Sequence, residues 1–456
     1  MVEMAIGYFG DDRLRKVGEL VVERVVERQA VCLRKLGDDR AEQVKFRRFL
    51  LNSSVTVEEM VSHRAELAAR AAGGRHVLAI QDTSEINYQA QRGRKRRLGT
   101  VGNGTDVGLF VHPVLGVDAD TQQCLGLLGA QVWRRRKRKA ANYKRLPIER
   151  KESYRWVKGG AQAKAVLAEA LMVTVIDDRE GDIYEKWARL PDDHTQLLTR
   201  ASQNRSLAGG GSLFPTLAGF PEAHRYTLDL TAQPGKRSAR QACMVVRFGP
   251  VRIRRPASCS DPDAPEEIEL FAVEARELNP PAGEKLVCWR LVTTHRVESV
   301  AQALQVIGWY RLRWHIEQLF RTLKRQGLGI EQSVVEDGGA LEKLAMIALI
   351  GACITMQLVL ARTANGQDAP AERVFDETQI EVLHALQPTL QGRTSKQKNP
   401  YRPNSLAWAS WTIARLGGWT GYESERATGP ITMRDGLQRF NSLVDGYDLA
   451  KNVCSS

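Results

Sequence analysis

Over residues 76–177 the apolar residues change their period, and that change restricts the folds open to this chain more than any other feature. HVLAIQD (76–82), VGLFVHPVLGV (107–117) and QCLGLLGAQVW (123–133) are short apolar runs that predict strands, the last two joined through a DADT turn. A helical stretch at 153–170 then leads into LMVTVID (171–177), a run short enough for a buried strand. The order strand, strand, strand, helix, strand predicts an α/β fold built on a mixed sheet with flanking helices. Upstream, residues 11–28, 38–51 and 55–72 carry helical apolar spacing, as at Leu14, Val17, Val21 and Val25, so a small helical unit precedes the sheet and closes at Gly73-Gly74.

Downstream, HTQLLTRA (194–201) predicts another strand and SLAGGGS (206–212) a boundary. YTLDLTA, ACMVVRF, VRIRR and EIELFAVEA follow as separate strand-like runs divided by turns such as SDPDAPEE, which predicts an all-β insertion over 205–284. KLVCWRLVTT (285–294) returns to a strand, and helices are expected from 299 through about 361. The expected organisation is a helical unit at 1–72, an α/β region at 73–204 resumed at 285–365 after the insertion, and a mainly helical tail at 366–456. Residues 344–361 carry no charge, yet Thr355, Gln357 and flanking charges of both signs favour a buried core helix over a membrane span. GTVGNGTDVG misses the GxGxxG spacing and reads as a flexible loop.

With 456 residues the chain can bury a full core without disulfide or metal staples. Its seven cysteines are scattered and include no CxxC pair, which argues against a secreted disulfide framework and a zinc ribbon and favours a reducing, cytoplasmic setting. Asp11, Asp12 and Arg13 stand where a signal peptide needs apolar residues. The net charge of +13 is concentrated: between Arg92 and Lys158 there are 17 Lys and Arg against five Asp and Glu. RGRKRR (92–97), RRRKRK (134–139, opening with Arg134, Arg135 and Arg136) and KRLPIERKESYRWVK (144–158) make this excess. One such run reads as well as a solvated loop or a targeting signal; three in one segment favour contact with a polyanion, and double-stranded DNA fits.

Three acidic residues stand where chemistry could use them. Asp82 ends the first strand, Asp178 follows the strand at 171–177, and Glu317 lies in YRLRWHIEQLFRTLK (310–324). Read as one helix, that stretch puts Tyr310, Arg313, Glu317, Arg321 and Lys324 within an arc of roughly 80°, with Leu312, Ile316, Leu319, Phe320 and Leu323 turned away. A carboxylate beside a hydrophobic sheet is costly unless a cation or donor meets it. Hard oxygen ligands from separate segments suit Mg²⁺ or Mn²⁺, and two such ions can activate a nucleophile and stabilise the leaving oxygen of a phosphodiester. Taken singly, Asp178 is more often a turn former or helix cap, and Glu317 a surface partner of Arg313 and Arg321; their conjunction favours function. No GxxxxGK[ST], HExxH or GxSxG motif competes.

These residues resemble the DDE transposases of bacterial insertion sequences, in particular the IS-four group to which the transposase of transposon five belongs. The group's signature of Tyr, two residues, Arg, three residues, Glu, six residues, Lys is similar to Tyr310, Arg313, Glu317 and Lys324 here. AIQDTSEINY puts the family's first catalytic aspartate on Asp82, and VIDDREGDIYE puts the second on Asp178, leaving Asp177 as an adjacent spare. By the same resemblance Arg200 in TRASQNR lies near the DNA end and Trp289 in VCWRLVTT serves against a flipped base. Arg321 stands where the transposon-five enzyme has lysine, which keeps the charge and changes its geometry.

The resemblance implies an RNase H-like fold interrupted by the β insertion, two Mg²⁺ ions (Mn²⁺ as substitute) on Asp82, Asp178 and Glu317, and phosphate contacts from Tyr310, Arg313, Arg321 and Lys324. It implies terminal inverted repeats read by residues 1–72, a homodimeric synaptic complex supported by the tail, and a cytoplasmic, nucleoid-associated protein without a membrane anchor. The implied reaction is strand nicking, hairpin formation, hairpin opening and strand transfer into target DNA. Two alternatives stand beside it: an RNase H-like nuclease that cuts without joining, and a catalytically inactive or domesticated DNA-binding regulator.

Overall fold

The computed structural model describes residues 4–135, 143, 146–232, 235, 237–324, 327–362, 369–422 and 428–454. The elements begin with α1 (Asp12–Arg28), α2 (Leu33–Leu36), α3 (Arg40–Leu51) and α4 (Val57–Ala72), followed by β1 (His76–Gln81), β2 (Ser84–Asn87), β3 (Gly99–Val101), β4 (Asp106–Asp118) and β5 (Cys124–Trp133). Next come α5 (Tyr154–Val166), β6 (Met172–Asp177), α6 (Tyr184–Arg189), β7 (Thr195–Arg200) and α7 (Leu213–Gly219). Then follow β8 (His224–Leu230), β9 (Arg240–Arg254), β10 (Glu267–Glu277) and β11 (Cys288–Thr293). The helices α8 (Val300–Leu312), α9 (Trp314–Leu323), α10 (Gly338–Leu360), α11 (Glu377–Leu390), α12 (Leu406–Leu416) and α13 (Pro430–Cys454) complete the chain. It divides into two compact units, one of Met1–Arg75, Thr83–Arg138 and His315–Ser456, the other of His76–Asp82 and Lys139–Trp314. The expected mixed α/β class is the one observed.

The first unit is organised around α10, which packs against α1, α3, α4, α12, α13 and β5. Neighbours on every side, five helices and β5, explain why its sequence is apolar all round: 89% of its most apolar 18-residue window is buried. Each fully buried Leu, Ile or Met contributes about 1.5–3 kcal/mol, so α10 is a principal source of this unit's stability. Asp337 caps it, accepting from the N–H groups of Gly339 and Ala340. Asp11, Asp39 and Thr56 cap α1, α3 and α4 in the same way, placing those starts one or two residues inside the expected bounds. β4 and β5 form the expected antiparallel hairpin, and β2 and β3 both pair with β4. GTVGNGTDVG is therefore not a loose loop: it is a tight β3–β4 hairpin, with Gly102 and Gly104 taking the positive φ its turn requires (+57° and +88°).

In the second unit the strands run in the order β1-β6-β7-β11-β10-β9-β8. β1, β6 and β7 are parallel, and the remaining neighbours antiparallel. α5 crosses β1 and β6, and Trp156 and Val157 on it pack with Ile148 and Ile183. The region expected to be all-β differs in two respects. It contains a helix, α7, and ACMVVRF and VRIRR are parts of one strand, β9, that runs through Gly249-Pro250. Proline is tolerated there because β8 pairs only with residues 240–246 of β9, and Arg252 and Arg254, of the same parity as Pro250, turn their backbone groups away from β10, so the missing N–H lies on the side that β8 does not reach. β11 hydrogen-bonds to β7 on one side and β10 on the other, which makes the added strands a continuation of the parallel ones.

Candidate active site

Register decides what the parallel strands present at their carboxyl ends. Ile80 of β1 lies beside Ile176 of β6, and Asp177 beside Thr199 of β7. One residue further on, Asp82, Asp178 and Arg200 follow Gln81, Asp177 and Thr199. Because successive side chains in a strand point to opposite faces, the two sets separate. Gln81, Asp177 and Thr199 are fully buried, whereas Asp82, Asp178 and Arg200 are half-exposed. Neighbouring strands lie about 5 Å apart, so the register brings Asp82 and Asp178 alongside each other at the end of the sheet where open α/β folds bind ligands.

The last turn of α8 meets both carboxylates. Arg313 Nη1 donates to Asp82 Oδ2 at 2.9 Å, with only 12% and 21% of the two side chains exposed. The Tyr310 hydroxyl lies 3.4 Å from Asp178 Oδ1. Burial first, and then the Asp178 carboxylate, push the Tyr310 phenol up to about 12, so it stays a donor at neutral pH. Trp289 on β11 stands edge-on to Tyr310 with ring centroids 6.2 Å apart, and Arg200 Nη2 donates to the Cys288 carbonyl at 3.1 Å. The helix itself departs from the expectation of one continuous stripe. It breaks at Arg313, whose N–H turns back to the Tyr310 and Arg311 carbonyls, ending α8 before α9 begins at Trp314. Asp178 stands at the N-cap position of the short turn that follows it, but its side chain accepts no capping bond there.

On the opposite face Asp177 is engaged throughout. Lys186 on α6 forms a fully buried ion pair with its Oδ2, Thr199 Oγ1 donates to the same oxygen at 3.0 Å, and Gln81 Nε2 donates to Oδ1 at 2.7 Å. Full burial pulls Lys186 well below the ordinary lysine range, and the carboxylate it touches is the countercharge against that pull. Asp182 is likewise committed, to Arg205 and to the N–H groups of Ser202 and Gln203, and so shapes the loop after Arg200. Sequence reasoning missed Lys186, because a lysine in a short helix is ordinarily solvated. The available signal was Gln81, Asp177 and Thr199: three polar residues, each directly after an apolar pair or run at the end of its strand.

A family model described as the transposase DDE domain matches residues 111–354, more than half of the chain. The chain belongs to the DDE transposase family. The matched span carries Asp178 and Glu317, while Asp82 lies upstream of it. A piggyBac transposase synaptic complex with hairpin DNA, solved by cryo-EM, is similar with a TM-score of 0.38 and 8% identity, over 98% of this chain and 76% of that one. The family assignment stands on the matched domain.

In this transposase Glu317 lies on α9, half-buried, and from His315 onward the chain belongs to the first unit. Ile316, Leu319 and Leu323 of α9 are buried as expected; Arg321 is exposed, and Lys324, just past the helix, has its Nζ 3.9 Å from Glu331 Oε1. Among the described residues no group of three His, Cys, Asp or Glu stands ready-made to hold a metal ion. The donor chemistry of Asp82 and Asp178 nevertheless fits a hard cation, since Mg²⁺ is commonly held by one or two carboxylates plus substrate phosphate rather than by an all-protein cage.

The basic runs of the transposase are in part structural. Arg134 is fastened to Glu342 through Nε and Nη2 (2.6 and 3.0 Å) and to the Arg97 carbonyl through Nη1 (2.8 Å). Arg135 stacks 4.4 Å from the Phe110 ring centre, and Arg97 pairs with Asp337. Lys95 donates to the Val335 carbonyl at 2.7 Å, and burial lowers it to about 8. Arg136 lies outside the described residues.

Proposed function

We propose that this DDE-family protein is a cut-and-paste transposase of the IS-four type, which binds inverted repeats at transposon ends, cleaves them with a divalent metal and joins the freed ends to target DNA. The observation that supports this reading most is the register of β1 and β6, after which Asp82 and Asp178 follow side by side, met by Arg313 and Tyr310. Asp82, Asp178 and Glu317 would hold Mg²⁺ or Mn²⁺, which when bound activates the attacking water or 3′ hydroxyl and stabilises the leaving oxygen. Arg313, Arg321 and Lys324 hold phosphates of the transposon end, and the Tyr310 hydroxyl, neutral at working pH, donates to a phosphate oxygen or to Asp178. Arg200 lies along the same DNA, and Trp289 stacks against a base extruded to relieve the bend of a hairpin intermediate. Two protomers assemble on paired ends.

The test is incubation of the purified protein with Mg²⁺, a target plasmid and donor DNA carrying the repeats that flank its gene. Nicked and joined products are expected. Asp82→Ala, Asp178→Ala and Glu317→Gln are expected to abolish cleavage while end binding persists; unimpaired cutting by Glu317→Gln would refute the assignment. Cleavage without joined products would identify a nuclease, and binding without nicking a regulator.

A further inference from the structure

The Asp177-Asp178 doublet offers two adjacent carboxylates at the end of β6, and the fold treats them oppositely. Asp177 is fully buried and touches Lys186, Gln81 and Thr199; Asp178 is half-exposed on the other face. Gln81 Nε2 also donates to the Trp156 carbonyl at 3.1 Å, and Lys186 Nζ lies 3.3 Å from Thr199 Oγ1. The network therefore ties together the last residues of β1 and β6, the penultimate residue of β7, and helices α5 and α6. The chain then folds back over Asp177 so closely that a Cβ at Gly181 would fall 2.4 Å from the Asp177 Cβ. Strand parity turns these side chains to the face opposite Asp82 and Asp178, yet each of the three strand residues immediately precedes one of Asp82, Asp178 and Arg200.

Resting on the reading of Asp82 and Asp178 as cation ligands, we propose that the buried network of Lys186, Asp177, Gln81 and Thr199 is a positioning device: it holds Asp177 inward and fixes the spacing of the two strand ends that bear Asp82 and Asp178. Without the network the strand end could rotate and carry Asp178 out of register with Asp82. A buried charge pair is a weak source of net stability, and breaking it by removing one partner leaves an uncompensated buried charge. Partners behind a ligand that orient it typically change metal affinity about 10- to 100-fold when removed.

The experiment measures Mn²⁺ binding to the full chain without DNA, by the paramagnetic resonance signal of free Mn²⁺. Wild type is compared with Asp178→Asn, with Asp177→Asn/Lys186→Met, and with Thr199→Val and Thr199→Ser. The double variant removes the pair together, with shapes preserved and the new amide still within reach of Gln81 and Thr199, and circular dichroism confirms that it folds. The folded double variant and Thr199→Val are expected to bind Mn²⁺ at least about tenfold more weakly, while Thr199→Ser, which keeps the hydroxyl, restores the affinity. Should the double variant fail to fold, the Thr199 pair decides by itself. Wild-type affinity in folded Thr199→Val and in the double variant, with binding still lost in Asp178→Asn, overturns the positioning role alone. Absence of Mn²⁺ binding by wild type, unchanged in Asp178→Asn, overturns the ligand reading and this inference with it.

Discussion

Arg313 occupies the carboxylate that the proposed function assigns to a metal ion, so its removal has a measurable consequence before any DNA is added. In the free protein a dication reaching Asp82 must displace a guanidinium held at 2.9 Å. A hydrogen bond to a charged group contributes about 1.5–3 kcal/mol net. The lower end of that range already sets a measurable scale. About 1.4 kcal/mol corresponds to a factor of ten in a dissociation constant. Arg313→Gln, which keeps a polar side chain without the charge, is therefore expected to bind Mn²⁺ about tenfold more tightly than wild type in the absence of DNA. With transposon-end DNA the same variant should bind more weakly, and its log-affinity against log-salt slope should be shallower by about 0.9, one phosphate contact having gone. Titration calorimetry with Mn²⁺ and fluorescence anisotropy over a salt series supply the two readings. Unchanged or weakened Mn²⁺ affinity would refute the idea that arginine and metal compete for Asp82.

Two further predictions concern groups in the first unit. Arg134→Gln leaves the Glu342 carboxylate without its bidentate partner and should destabilise the protein by about 1–3 kcal/mol in urea denaturation, with the salt slope of DNA binding unchanged; a slope reduced by about 0.9 would mean that Arg134 contacts phosphate after all. Glu27, on α1, is pushed up from 4.5 to about 7 by burial and then by the neighbouring Glu23, against the opposing Arg24. A folded-state value above the unfolded one means that this contribution is fully present below pH 4.5 and is lost as pH rises through about 7. The loss is at most about 3–4 kcal/mol. Wild type should therefore be less stable at pH 8 than at pH 5, and Glu27→Gln should narrow that gap; an unchanged gap would place the titration elsewhere.

Much of this architecture is legible in the residues. The helices at 12–28, 40–51 and 57–72, the strands at 76–81, 106–118, 124–133, 172–177 and 195–200, and the core helix 338–360 follow from apolar period and length. β2 and β3 escaped because strands of four and three residues are too short to show a period and exist by pairing with β4. The single strand through Gly249-Pro250 escaped because proline is a breaker in sequence and becomes acceptable only where a neighbouring strand is absent. The stripe from Tyr310 to Lys324 assumed uniform helical geometry, which the tightened turn at Arg313 interrupts.

Sequence alone determined the spacing of Tyr310, Arg313, Glu317 and Lys324 and the positions of Asp82 and Asp178 at strand ends, because spacing and period are local and each residue carries them with it. Tertiary structure alone decided that Asp177 turns inward to Lys186, that Arg313 rests on Asp82, and that Arg134 serves Glu342. A charged side chain is buried or free according to which partner the fold delivers to it. Those partners stand 9, 231 and 208 residues away, at distances along the chain over which no local pattern operates.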